Sequence, residues 1–402
     1  MRIAVVTYTL GIMLLLSSCC TQKVERESSR ITYSNDMNTF ALSLLNEVCK
    51  DDNRENICIS PASAAWALSM VANGAEGNTL TELLNTLGIE DGSIEALNQA
   101  QQYALENLSA GNDERSTLSA ANSIWINDCF KVKKDFINTN KKFYNAEVKN
   151  VPFDTATLES INLWCSEKTN GKIASILEKL DSNSRLILIN ALYLKSQWSR
   201  SFQEHLTKRE LFTKENGDNI VVDMMHQTFN TRYFCNSSFQ MASKPLGKGD
   251  IEMIFILPGE GITTDSVMQM LAKGYTGYRE QMIDAEIAMG LPKFKVEYDT
   301  NLNNVLKAMG TNDAFDSNAN LGNISKAPLF ISDIIQKSYI DVNEQGVEAA
   351  AVTAAIIGLL AMPREQETIP MIMNRPFLFV IAKRGDSIGN ILFAGKIEEP
   401  TN

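Results

Sequence analysis

Gly346-Val347-Glu348-Ala349-Ala350-Ala351-Val352-Thr353-Ala354-Ala355-Ile356-Ile357-Gly358-Leu359-Leu360-Ala361-Met362 is the stretch on which the reading of this chain turns. It is long, apolar and made mostly of small residues. A membrane helix needs about 20 apolar residues, so the stretch is too short to be one. Its first half is good helix material and its second half is β-prone, so a plain helix is one reading. It holds no proline and, after Glu348, no charge. Such a segment can also lie in a sheet on either side. Exposed as an idle loop it would be an aggregation hazard, so it needs a job.

The flanking sequence reads as α+β, with helices early and strands late. Asp36 to Cys49 places Phe40, Leu44, Leu45 and Val48 at helical spacing. Ser60-Pro61 opens a second helix, with serine as cap and proline in the first turn. Further helices are expected at about 79–87, from Ser93 to Leu108, over 134–144, from Ile161 to Lys179 and over 300–309. Leu186 to Leu194 is almost wholly apolar and should be a central strand. Short strands are expected through 219–298, over 331–343, and at Phe377–Lys383 and Ile391–Ile397. No internal repeat and no interdomain linker breaks the chain.

Composition excludes several function classes. Of 402 residues, 44% are hydrophobic and 21% charged, as in an ordinary globular protein. A formal net charge of -11 argues against a nucleic-acid binder. The chain has only two histidines, His205 and His226, which weakens an enzyme reading. No Gly-x-Ser-x-Gly, His-Glu-x-x-His or glycine-rich phosphate loop is present. Cys49, Cys58, Cys129, Cys165 and Cys235 form no C-x-x-C pair and no metal spacing, and read as scattered thiols. Lys131, Lys133, Lys134, Lys141 and Lys142 cluster, but a solvated helix face accounts for them.

The N-terminus reads as an export signal: Arg2, an apolar run from Ile3 to Leu16, then Leu16-Ser17-Ser18-Cys19. That last motif looks like a bacterial lipobox, whose cysteine is lipidated. We therefore expect a signal peptide over 1–18, lipidation at Cys19, a flexible tether over 19–34 and one domain over 35–402. The location would be exported, on the cell envelope at the surface or periplasmic side, with release from the cell as the alternative.

The central stretch also carries a resemblance. Glu344-Gln345-Gly346-Val347-Glu348-Ala349-Ala350-Ala351-Val352-Thr353 resembles the hinge of a serpin reactive-centre loop. Asn56-Ile57-Cys58-Ile59-Ser60-Pro61-Ala62-Ser63 and Gly74-Ala75-Glu76-Gly77-Asn78-Thr79 are similar to the family's helix under the main sheet and the turn after it. Ile161-Asn162-Leu163-Trp164 with Thr169-Asn170-Gly171-Lys172-Ile173 resembles its crossing helix and exit. Asn190-Ala191-Leu192-Tyr193-Leu194-Lys195 with Trp198 and Phe202, Leu291-Pro292-Lys293-Phe294 and Arg375-Pro376-Phe377 complete the set. The match runs from about 34 to 400, and the motifs occur in the family's order.

The resemblance implies a serpin-like fold: a large mixed β-sheet with helices on it, smaller sheets, and an exposed reactive-centre loop at about 344–373. It implies a suicide inhibitor of serine endopeptidases, with no catalytic residue, no metal and no cofactor of its own. The loop is bait. Once cut, it would enter the main sheet as a strand and trap the acyl-enzyme in a covalent 1:1 complex with a monomeric inhibitor. Strand addition and strain release of this kind are general devices, for which serpins are a standard example. Roughly a dozen inserted residues at about 1 kcal/mol net per hydrogen bond give on the order of 10 kcal/mol.

The hinge residues would be Glu344, Gly346, Val347, Ala349, Ala350, Ala351 and Thr353. Val347, Ala349, Ala351 and Thr353 would face the core after insertion, and Glu348 the other way, where a charge costs little. The shutter and breach residues would be Ser60, Ser63, Asn190, Trp198, Gln336 and Lys337. Gln336 stands where the family commonly has histidine, and it is expected to keep the usual link to Asn190. Lys244-Pro245-Leu246 fits its family motif only loosely. Counting from Gly346 puts the reactive bond at Leu360-Ala361, with Leu359, Ala361, Met362 and Arg364 as neighbouring candidates. Leucine there suits elastase-, chymotrypsin- or subtilisin-like proteases with apolar pockets. A noninhibitory serpin, or an inhibitor of cysteine proteases, is the alternative. The membrane would be met through the lipid only.

Overall fold

The computed structural model describes residues 37–89, 93–110, 112–348, 367–384 and 391–401. The expected signal peptide and tether, with Cys19, and residues 349–366 lie outside them. The helices are α1 (37–51), α2 (Pro61–Ala72), α3 (Gly77–Thr86), α4 (Ile94–Ala110), α5 (Lys134–Tyr144), α6 (Thr155–Lys168), α7 (Thr264–Glu280) and α8 (Asn303–Ala308). The strands are β1 (Asn56–Ile59), β2 (Ser116–Asn127), β3 (Glu147–Val151), β4 (Leu186–Gln197), β5 (Lys208–Thr213), β6 (Asn219–Cys235), β7 (Phe239–Leu246), β8 (Ile251–Pro258), β9 (Ile283–Pro292), β10 (Phe294–Asn301), β11 (Asp333–Val342), β12 (Gly346–Val347), β13 (Ile369–Ile372), β14 (Phe377–Lys383) and β15 (Ile391–Ile397).

These strands make two sheets. One has six strands in the order β10-β11-β12-β4-β2-β3. The other has nine: β1-β15-β14-β8-β7-β6-β9-β13, with β5 on β6. The α+β class is as expected.

β4 is almost wholly apolar from Leu186 to Leu194 because both faces of that stretch are covered. Leu188, Leu192 and Leu194 belong to the main core, while Ile187, Ile189 and Ala191 join a second cluster with Ile161, Trp164 and Cys165 of α6. Nearly every residue of α2 is buried, so this helix is apolar all round rather than striped. The Ser60 side chain caps it by accepting the Ser63 N–H, and lies 2.8 Å from the Leu392 carbonyl oxygen, so helix and β15 are tied at one point.

Two expectations need correction. The helix read from Ile161 to Lys179 ends at Lys168. Asn170 (φ 50°) and Gly171 (φ 78°) turn left-handed there, and a strap returns across the sheet. Asn162 fixes that strap: its amide donates to the Leu177 carbonyl at 2.8 Å and its carbonyl accepts from Ile176 and Leu177. Ile173 and Ile176 supply the apolar spacing, but as buried feet of an irregular segment. The second is α7, inside a region read as strands. Thr263 caps it, and Val267, Met268, Leu271 and Tyr275 bury one face. Gly274 and Gly277 weaken the local helix signal, and packing overrides it.

The five cysteines are free: Cys58 and Cys165 buried, Cys49 half-buried, Cys129 and Cys235 exposed. Among the described residues no helix is long and apolar enough to cross a membrane, and no cluster could hold a metal ion.

Candidate functional site at the split in the six-stranded sheet

β4 and β11 lie side by side but are joined only at their ends. At one end they pair directly, in parallel, from Asp333↔Ile187 to Gln336↔Asn190. At the other end β12 sits between them: Gly346↔Gln197, Val347↔Ser196 and Val342↔Val347, all antiparallel. Between these points, 191–195 of β4 and 337–341 of β11 share no ladder among the described residues. Their outer sides are paired with β2 and β10. The sheet therefore has a slot, and a strand has begun to fill it.

Position 346 admits only glycine. A Cβ there would stand 2.1 Å from the Ser196 carbonyl oxygen and 2.6 Å from Gln197 Cα. Val347 is buried in the main core, on the side expected of it.

The segment after β4 clamps the base of this strand. Trp198 donates its backbone N–H to the Gln345 carbonyl and its indole N–H to the Asn343 carbonyl, each at 2.9 Å. Phe202 N–H donates to the Glu344 carbonyl at 2.9 Å. The Glu344 carboxylate takes hydrogen bonds from Thr207 Oγ1 at 2.9 Å and an ion pair from Lys293 at 3.2 Å. Burial alone would raise its pKa. The bonds from its own backbone, Thr207 and Lys293 outweigh burial and hold it below the usual carboxylate range. Trp198 is a packing residue, edge-on to Phe202 at 6.1 Å.

Sequence reasoning missed what stands beside that clamp. Lys244 is buried, with Nζ 4.3 Å from the Phe202 ring centre, 4.4 Å from Phe229 and 5.3 Å from Trp198. Its amine donates to the Arg200 carbonyl at 3.1 Å and to Gln227 Oε1. Burial, and secondarily Arg200, push its pKa down to about 7. The signal was a lysine in an otherwise apolar strand end, but nothing local names its three rings.

At the joined end, the expected link between Gln336 and Asn190 is not made. Gln336 instead pairs with the Ser60 backbone, accepting its N–H at 2.8 Å and donating to its carbonyl at 2.7 Å. Asn190 Nδ2 donates to Asn122 Oδ1, and Asn190 Oδ1 is buried with no hydrogen-bond partner among the described residues. An amide reaches the α2 cap and satisfies two backbone groups at once, which a bond to Asn190 would not. Ser63 lies beside Ser60, with the two hydroxyls 2.9 Å apart. Lys337 points to the other face, toward Glu297 at 2.8 Å and the Ser175 carbonyl at 3.3 Å.

Glu348 also departs from its reading. It turns away from the core as expected, but not into solvent: its side chain is 7% exposed. Tyr193 Oη donates to it at 3.0 Å and Lys172 Nζ stands at 3.3 Å. Burial and this carboxylate push the Tyr193 pKa up to about 12. A charge reversal here would set two cations, at 348 and 172, side by side.

His226 pairs with Glu210 at 2.9 Å on the hairpin of β5 and β6, and His205 is exposed. Ala349, Ala350, Ala351, Thr353, Leu360 and Ala361 lie outside the described residues.

A sheet split beside a hinge glycine defines a class, and comparison names it. Residues 35–400 match the family model Serpin (serine protease inhibitor). The chain belongs to the serpin family, whose members are mostly protease inhibitors rather than enzymes. It is 32% identical over 381 residues to Serpin B9 of Homo sapiens, covering 92% of this chain and 100% of that one. It is 32% identical over 388 residues to Serpin B11 of Mus musculus, covering 90% and 97%. The crystal structure of the thermophilic serpin tengpin in its native state aligns with a TM-score of 0.83 at 32% identity, over 92% of this chain and 94% of that one. Human thyroxine-binding globulin aligns at 0.83 with 24% identity, over 93% and 100%, a likeness of fold alone.

Proposed function

We propose that this protein is a suicide inhibitor of serine endopeptidases with apolar primary pockets, anchored to the cell envelope through Cys19. The slot with a strand already begun carries the reading. The register Gly346↔Gln197 and Val342↔Val347 fixes which residues a longer strand would meet. Continued, it sets Ala349 between Leu194 and Ile340, and Ala351 between Leu192 and Ser338. All four neighbours are buried, and small side chains fit there. Thr353 arrives between Asn190 and Gln336, where its hydroxyl can donate to the unpartnered Asn190 Oδ1. To get that far it must part Gln336 from Asn190, the first of the four pairs that close the slot.

The chemistry precedes the insertion. A protease serine oxygen attacks the Leu360 carbonyl carbon, the bond to the Ala361 nitrogen breaks, and the amine leaves with the proton. Insertion then carries the acyl-enzyme away before water can attack the ester. Incubation with elastase, chymotrypsin and subtilisin should give a complex that survives denaturing gels, and a released peptide that begins at Ala361. Cleavage without complex would refute the proposal and favour a noninhibitory role. Leu360→Arg should move inhibition to trypsin-like proteases, and an unchanged profile would put the bond elsewhere. Cys19→Ala should move the protein out of the membrane fraction, and retention there would refute the anchor.

A further inference from the structure

Glu348 is where the begun strand stops. Its φ of 53° is left-handed, a conformation that residues other than glycine rarely hold. Three contacts meet there. Its N–H donates to the Asp341 carbonyl of β11 at 2.7 Å. Its carboxylate accepts from Tyr193 of β4 at 3.0 Å. Lys172, on the strap after α6, stands 3.3 Å away. Lys172 also lies 5.2 Å from the ring centre of Tyr339 on β11. One residue thus touches both walls of the slot and the strap that crosses it.

We propose that Glu348, Lys172 and Tyr193 form a latch that halts the strand after Val347 and sets the rate at which it lengthens. The inference rests on the loop-insertion reading above. To continue as strand, Glu348 must change φ from 53° to about -120° to -140°. That rotation moves Cβ and draws the carboxylate out of the position its two donors define. Donors that favour the turned-out residue oppose the extended one. A left-handed residue persists only when its surroundings over-determine it. Here they are the Asp341 carbonyl, one hydroxyl and one ammonium, and removing either side-chain donor weakens the stop. Glu348 acts through the backbone it holds, so it is a positioning residue for inhibition.

The readout is the limiting rate of protease inhibition at saturating inhibitor, followed by stopped-flow with chymotrypsin. Glu348→Ala and Lys172→Met should each raise that rate roughly threefold, as suits a partly exposed ion pair. The double variant should be no faster than the faster single, because both remove one interaction. Glu348→Gln keeps an acceptor for Tyr193 and should fall between wild type and Glu348→Ala. Salt at about 1 M screens exposed charges and should speed wild type but not Lys172→Met. Single variants that match wild type, run slower, or multiply independently overturn the latch while leaving the inhibitory reading intact. A wild type that is cut without trapping chymotrypsin, elastase or subtilisin overturns both.

Discussion

In the nine-stranded sheet, β6 pairs with β9 over ten residues and β14 with β8 over six. In the six-stranded sheet, β4 and β11 pair over four residues and then part. The first sheet carries Phe255, Phe377 and Phe379, all fully buried, with Phe294 of β10 edge-on to Phe377 at 5.8 Å. The second carries a slot whose walls are Leu192, Leu194, Ser338 and Ile340. A filled ladder leaves no place for another strand. On the loop-insertion proposal, a ladder with a gap withholds hydrogen bonds and apolar contacts that the same chain would make later. Rigidity in one sheet and incompleteness in the other belong to a single fold, and substitutions should separate them.

The largest effect is expected in the filled sheet. Phe379→Ala removes a fully buried ring and should cost about 4 kcal/mol. Chemical denaturation should show that loss in the uncut and the loop-cleaved protein alike. A loss confined to one form would mean that the two sheets are not independent.

Ala351→Arg tests the unfilled sheet. The extended register places that side chain beside Leu192 and Ser338, so an inserted arginine would be buried without a partner at about 3 kcal/mol or more. Uncut protein should unfold as wild type does. The protease should be released active after cutting the same bond, with stable complex reduced at least about tenfold. A full yield of complex would show that this residue never enters the slot.

Lys244 sits where the two sheets meet, and its effect depends on pH. Its pKa is about 7 folded against 10.5 for an ordinary lysine. Below about 7 it is charged in both states and the whole cost of burying the charge is present. Between about 7 and 10.5 the unfolded chain binds the extra proton, so stability rises with pH through that window. Lys244→Met should stabilise most below about pH 7, and its advantage should shrink by about 1.4 kcal/mol per pH unit above 7, toward 9. Urea titrations of both proteins at three pH values would measure this. A constant difference would mean that the lysine does not titrate there.

The smallest effect belongs to neither sheet. Lys50 and Glu47 pair at 2.6 Å on α1, with the lysine 57% exposed. Lys50→Ala should change stability by less than about 0.5 kcal/mol. A larger change would call for a role of α1 beyond covering the core.

Elements with a strong local pattern were legible in the sequence: α5, β14 and β15 have the residue bounds expected of them. The hinge residues came from the family resemblance, and of them only Glu344, Gly346 and Val347 lie among the described residues. The α7 helix was obscured by its own glycines, and the strap after α6 by isoleucines that serve a helix or an irregular segment equally well.

What the sequence determined by itself was therefore the class of fold and the bounds of its most strongly patterned elements. Periodicity and side-chain size act within a few residues and need no partner. Only the tertiary structure decided that the strand halts at Glu348, that Gln336 turns to Ser60 rather than Asn190, and that Lys244 stands among three rings. Each depends on which distant group comes within about 3 to 5 Å, a contact distance that only the folded chain sets.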